Sequence, residues 1–125
     1  MRDGKHIILY IDDDQDYLDA VRAILEAHDY AMLEARTAAE GLKVYKEHLP
    51  DLVIVDLMME EVDAGTSFVK EVRAVGGSDV PIYMLSSVGD NLHLSTDYTA
   101  LGLAGVFQKP ISPQTLISVL RSRLK

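Results

Sequence analysis

The chain has no cysteine and no tryptophan. The missing cysteines rule out disulfides and thiolate metal sites and fit a reducing, cytoplasmic setting. Long apolar runs are missing too. The start, Met1-Arg2-Asp3-Gly4-Lys5-His6, lacks the apolar stretch of a signal peptide, and no run approaches the length that spans a bilayer. No membrane association is therefore expected. Proline and glycine are sparse, at 4 and 8 residues, and no Ser/Gly tract, charge block or repeat marks a linker. A chain of 125 residues with 48% hydrophobic content then reads as one domain over residues 1–125 with one core. Positive charge is also short: 12 Lys and Arg against 20 Asp and Glu give a net charge of −8. With no basic stripe to meet phosphates, direct binding of nucleic acid is not expected. An acidic surplus ordinarily just keeps a domain soluble, but here part of it is gathered in one place.

Short apolar runs alternate with longer helical patterns. Ile7-Ile8-Leu9-Tyr10-Ile11 is apolar on both faces, as a strand buried between two helical layers is. Tyr17, Leu18, Val21, Ile24 and Leu25 recur at helical spacing. Ala31–Ala35 is a weaker strand candidate. Thr37 and Glu40 have capping-box spacing ahead of a helix with Leu42 and Tyr45, which Pro50 closes. Leu52-Val53-Ile54-Val55 is the clearest strand and stops at Asp56. Phe68, Val69, Val72 and Val75 form another helical stripe, ended by Gly76-Gly77. Ile82-Tyr83-Met84-Leu85 follows Pro81 as a strand. A helix over Asn91–Leu101 is weakly encoded by Ser95, Thr96, Asp97 and Thr99. Gly105-Val106-Phe107-Gln108 is a short last strand. Ser112 and Pro113 suit the cap and first turn of a helix with Leu116, Ile117, Leu120 and Leu124. Such alternation predicts a doubly wound α/β domain, a five-stranded parallel sheet with helices on both faces. Ligands in these sheets bind beyond the carboxyl ends of the strands.

Polar residues collect at those ends. Asp12-Asp13-Asp14 follows the first strand, Asp56 the third, Ser86-Ser87 the fourth and Lys109-Pro110 the fifth. The second ends in Ala35-Arg36 and contributes nothing obvious, which fits strand order 2-1-3-4-5 with the second strand at an edge. Several carboxylates at one sheet edge repel each other. A hard divalent cation with oxygen ligands removes the repulsion, and Mg2+ is the usual choice where a phosphoryl group joins its shell. A carboxylate can also attack phosphorus to give an aspartyl-phosphate, a transfer that needs positioning and charge neutralisation above all. Each feature has a plainer reading. The Asp triplet could be a polar turn and helix cap, Asp56 a turn residue, Lys109 a solvated lysine, and Ser86-Ser87 ordinary loop. His6, His28, His48 and His93 show no metal-ligand spacing. Tyr10 and Tyr83 read most simply as core or subsurface aromatics.

Four motifs in order, Tyr10-Ile11-Asp12-Asp13-Asp14, Val53-Ile54-Val55-Asp56-Leu57-Met58-Met59, Met84-Leu85-Ser86-Ser87 and Gln108-Lys109-Pro110, resemble those of response-regulator receiver domains, the chemotaxis-regulator-like family of two-component systems. The resemblance covers nearly the whole chain and implies the flavodoxin-like receiver fold. It also implies that Asp56 is the phosphoacceptor. Asp12 and Asp13 would form the acidic pair of a Mg2+ site, completed by Asp56 and the Met58 backbone carbonyl. Ser86 would be the switch hydroxyl, Lys109 the phosphate-contacting cation, and the Lys109–Pro110 bond cis. Asp14 would start the helix. The partners implied are a sensor histidine kinase or phosphotransfer protein, and a downstream target or an output domain absent from this chain. A homodimer stays open. Such a domain is not an enzyme beyond catalysing its own phosphorylation and dephosphorylation.

The chain departs from the family pattern in three places. The family usually has proline after the position of Met59, where this chain has Glu60 and Glu61. The family's mobile aromatic falls at Val106, while Phe107 beside it points to the other face of the strand. Met58 and Val88, two residues beyond Asp56 and Ser86, are apolar and suit slow self-hydrolysis of the phosphorylated form. Two other functions compete: a pseudo-receiver docking module that is never phosphorylated, and an aspartyl-nucleophile phosphatase. The phosphatase would want a second Asp where Met58 stands. An FMN-binding flavodoxin is weaker, because Asp12-Asp13-Asp14 would repel a phosphate.

Overall fold

Five residues in a row with no exposed side chain need cover on both sides, and β1 (Ile7–Ile11) has it. The computed structural model describes residues 4–56, 64–74, 80–86, 104–108 and 111–124. In chain order these form β1, α1 (Gln15–Ala27), β2 (Ala31–Ala35), α2 (Ala38–His48), β3 (Leu52–Asp56), α3 (Ala64–Ala74), β4 (Ile82–Ser86), β5 (Gly105–Gln108) and α4 (Pro113–Arg123). The five strands make one parallel sheet in the order β2-β1-β3-β4-β5. The predicted fold class, strand order and strand positions all agree with this. The helix expected over 91–101, Val75 and the Gly76-Gly77 stop lie outside the described residues.

Side-chain alternation splits the core into two layers. Ile8, Tyr10, Leu52, Ile54, Tyr83, Leu85 and Phe107 face α1 and α4, where Leu18, Val21, Leu25, Leu116, Ile117 and Leu120 pack on them. Leu9, Ile11, Val53, Val55, Ile82 and Met84 face α2 and α3, against Tyr45, Phe68, Val69 and Val72. Each such Leu, Ile, Val or Phe contributes about 1.5–3 kcal/mol by leaving water. The α2 helix comes close to the sheet at Gly41: a Cβ there would lie 2.8 Å from Ile11 Cγ1 and closer still to Ile11 Cδ1. Glycine, the poorest helix former after proline, is used here for its lack of bulk.

The helix ends follow the local chemistry. The Asp14 carboxylate accepts from the backbone N–H groups of Asp16 and Tyr17 and caps α1, the role expected for it. The Thr37 hydroxyl accepts from Glu40 N–H at 3.0 Å, and Ser112 caps α4 through Thr115 N–H with Pro113 in the first turn. The reciprocal half of the capping box differs, since Glu40 Oε1 accepts from Arg36 N–H rather than from Thr37. The α2 helix ends on Leu49 in the left-handed region, φ 47°, and Pro50 prevents continuation.

Candidate functional site

Register places the acidic residues. Ile11 of β1 pairs with Val55 of β3, so the next residues, Asp12 and Asp56, emerge side by side at the carboxyl end of the two central strands. Both are buried, at 0% and 2% exposure, while Asp13 is exposed. One carboxylate oxygen from each of Asp12, Asp13 and Asp56 can be chosen so that all three lie within 4.8 Å of one another. Among the described residues this is the one group of acidic and histidine side chains able to hold a metal, and no histidine belongs to it.

Two buried carboxylates this close to a third are costly unless positive charge or hydrogen bonds compensate. Part of the compensation is visible at Asp12. Its Oδ2 accepts from the Tyr10 hydroxyl at 2.5 Å, and its Oδ1 from the backbone N–H of Asp14 at 3.0 Å. Burial pushes the Tyr10 phenol far above the usual tyrosine range, helped by its bond to Asp12 and by the negative charges of Asp12 and Asp56. The hydroxyl therefore stays protonated, and a donor. The backbone on either side is pinned as well. Asp12 N–H donates to Ala35 O at 3.0 Å, and the Arg36 guanidinium reaches back to Asp13 O at 3.0 Å.

The expected site residues divide accordingly. Asp12, Asp13 and Asp56 come together. Ser86 closes β4 one residue after Leu85, the pairing partner of Asp56, and itself pairs with Gln108. Lys109 and Pro110, with the expected cis bond between them, lie outside the described residues, as do Met58, Met59, Glu60, Glu61 and Val88. Val106 and Phe107 do point to opposite layers. Phe107 is buried with its ring 5.1 Å from that of Tyr83, whose hydroxyl accepts from Arg123 Nε at 2.8 Å, and Val106 packs on the α2/α3 layer. Two contributors were not singled out from sequence. Tyr10 belongs to the core by its apolar run, and its place two residues before Asp12 on the same strand face is the signal for a second role. Arg36 has no such signal, because its reach to Asp13 depends on β2 lying beside β1.

The parallel α/β order 2-1-3-4-5, with a buried aspartate ending β3 beside an acidic pair after β1, defines a class of protein on geometry alone. Comparison agrees: residues 8–121 match the family model for the response regulator receiver domain. The chain belongs to that family, the receiver domains of two-component response regulators. Among curated proteins it is similar to a probable transcriptional regulator, ycf27, of Porphyridium aerugineum, at 36% identity over 97% of this chain and 49% of the relative. It is also similar to the transcriptional regulatory protein YvrH of Bacillus subtilis, at 29% identity over 94% of this chain and 48% of the relative. The chain thus spans about half the length of these curated relatives. Among solved structures, the chemotaxis protein CheY4 of Vibrio cholerae superposes with a TM-score of 0.85 at 28% identity, covering 97% of this chain and 100% of that one. Among the described residues no helix is long and apolar enough to cross a membrane.

Proposed function

We propose that this domain is a phospho-accepting switch in which Asp56 takes a phosphoryl group from a phosphohistidine of a sensor kinase or phosphotransfer protein. A carboxylate oxygen of Asp56 forms the new P–O bond as the P–N bond to the imidazole breaks, and the imidazole departs with the bonding pair. The observation that carries this reading is Asp56 itself, a buried carboxylate at the end of a central strand within a three-carboxylate cluster.

The all-oxygen donor set of Asp12, Asp13 and Asp56 fits a hard divalent cation such as Mg2+, which these three would hold; by the family resemblance the Met58 carbonyl would complete its ligands. When bound, the ion supplies positive charge against the carboxylates and the phosphoryl oxygens. The protein's own part is positioning. β1 and β3 hold the acidic side chains in register; by the family resemblance Ser86, which ends β4, would supply a hydroxyl and Lys109 a cation. Phosphorylation would alter a protein-docking surface. In a cytoplasmic regulator of about twice this length, that surface would act on an output region, which in relatives named as transcriptional regulators is the candidate for contact with nucleic acid. The phosphoryl group's arrival and slow loss are the domain's own chemistry, not turnover of an external substrate.

Intact mass after incubation with acetyl phosphate and Mg2+ tests the reading. The wild type is expected to gain one phosphoryl group and Asp56→Asn none. No gain in the wild type would favour a docking module that works without phosphorylation.

A further inference from the structure

Tyr10 is more than filler for the core. Its side chain is completely buried on the α1/α4 face of β1, so the hydroxyl has no access to bulk water. Strand geometry puts residues two apart on one face, and Asp12 continues that face beyond the end of β1. The result is a short, fully buried bond from the phenol to Asp12 Oδ2, opposite the Asp14 N–H on Oδ1. With a donor on each oxygen the carboxylate plane is fixed about its last torsion, which in a free aspartate is broad and roughly two-fold.

We propose that Tyr10 is a positioning residue for the divalent-cation site: its hydroxyl fixes the direction in which the Asp12 carboxylate faces Asp13 and Asp56, and so sets the cluster's affinity for Mg2+. This rests on the reading of the cluster as a Mg2+ site. Two effects of the hydroxyl oppose each other. A donor draws electron density from the carboxylate and competes with the cation, which by itself would make a hydroxyl-free variant bind more tightly. Against that, an Asp12 that loses the Tyr10 hydroxyl and keeps the Asp14 N–H is less restricted about its last torsion and must be reordered when the ion binds. Orientation wins, because loss of an outer-shell partner typically weakens metal binding about 10–100-fold, a net figure that already contains the change in the ligand's basicity.

The test is calorimetric titration of Mg2+ into the wild type and Tyr10→Phe without a phosphodonor, with thermal melts in chelator alongside. Tyr10→Phe is expected to bind Mg2+ about ten-fold more weakly while its melting point in chelator stays close to wild type. Tyr10→Met, which also lacks the hydroxyl, is expected to show the same weakening, so the result does not depend on how a phenyl ring repacks. Labelling by acetyl phosphate across a Mg2+ series gives a second readout. A positioning role moves the half-saturating Mg2+ concentration and leaves the plateau intact. A lowered plateau with an unmoved midpoint would overturn the inference, as would unchanged or tighter Mg2+ binding. If the wild type itself neither bound Mg2+ nor accepted phosphate, the reading of the site would fall and this inference with it. Wild-type binding with an unmoved Tyr10→Phe overturns the inference alone.

Discussion

Asp13 is the exposed member of a cluster whose other two carboxylates are buried, and this asymmetry gives it a separable role. Its charge adds to the repulsion at the sheet edge while its accessibility makes it the natural first contact for an incoming cation. Replacing it by asparagine keeps the size and removes the charge. Without metal, Asp13→Asn is therefore expected to melt higher than wild type by about 2–5 °C, and with Mg2+ to lose that advantage. Scanning calorimetry with and without chelator reads both; a variant that melts lower in chelator would show that the repulsion is already neutralised in the folded protein. At this scale the sequence was informative where a residue is placed by the end of a strand, as Asp12, Asp13 and Asp56 are. Asp14 was also legible, because an N-cap is satisfied by neighbours two and three residues on. Tyr10 was legible only in part: its place two residues before Asp12 is visible, but the seating of its hydroxyl on a carboxylate oxygen is not.

At the scale of elements, α2 meets the sheet through a contact whose two sides depend on each other. Gly41 leaves room for Ile11, whose Cγ1 and Cδ1 would collide with any Cβ at position 41, and Phe68 Cε1 lies 3.4 Å from the same point. Gly41→Ala gains roughly 1 kcal/mol of helix propensity, but overpacking a filled core costs about 1–3 kcal/mol. Ile11 has 0% exposure and sits on a central strand, so its only escape is to strain or push the helix away. The expected net is a loss of about 1 kcal/mol for Gly41→Ala. In an Ile11→Val background, where the Cδ1 methyl is gone and only the Cγ1 contact is left, the same alanine should cost less than it does beside Ile11. Urea unfolding of the four proteins of this cycle measures the coupling, and simple additivity would sink the idea. The elements themselves were largely legible from strand runs, helical stripes and caps. The glycine's purpose was not, since mid-helix glycine reads only as weakness until the facing strand residue is known. Nor was the left-handed end of α2 at Leu49, where the sequence offers a leucine rather than the glycine or asparagine that usually marks such a stop.

For the whole molecule, the strand order could be inferred because chemistry follows β1, β3, β4 and β5 but not β2, which placed β2 at an edge. Missing from the sequence was the tie between that edge and the site, the Asp12 N–H to Ala35 and Arg36 to Asp13 bonds, which exist only once β2 lies beside β1. The same topology makes the proposed cation site a property of the fold as a whole. In the unfolded chain Asp12 and Asp13 are separated from Asp56 by α1, β2, α2 and β3, so the three carboxylates converge only in the native state. A ligand that binds the native state alone stabilises it by about 2.7 kcal/mol at one hundred times its dissociation constant, a melting-point rise on the order of 10 °C for a domain of this size. A net charge of −8 raises a rival explanation, since any cation screens self-repulsion. The two differ in form. Screening is common to Na+ and Mg2+ at equal ionic strength and weakens once the Debye length falls to about 10 Å near 0.1 M salt. Site binding persists in that salt background and keeps rising with the logarithm of Mg2+ concentration. Melting curves at fixed ionic strength are therefore expected to shift upward with Mg2+ in the wild type and to flatten in Asp56→Asn. An equal rise in both proteins would assign the effect to screening and leave the three carboxylates as a burden that the fold carries without a cation.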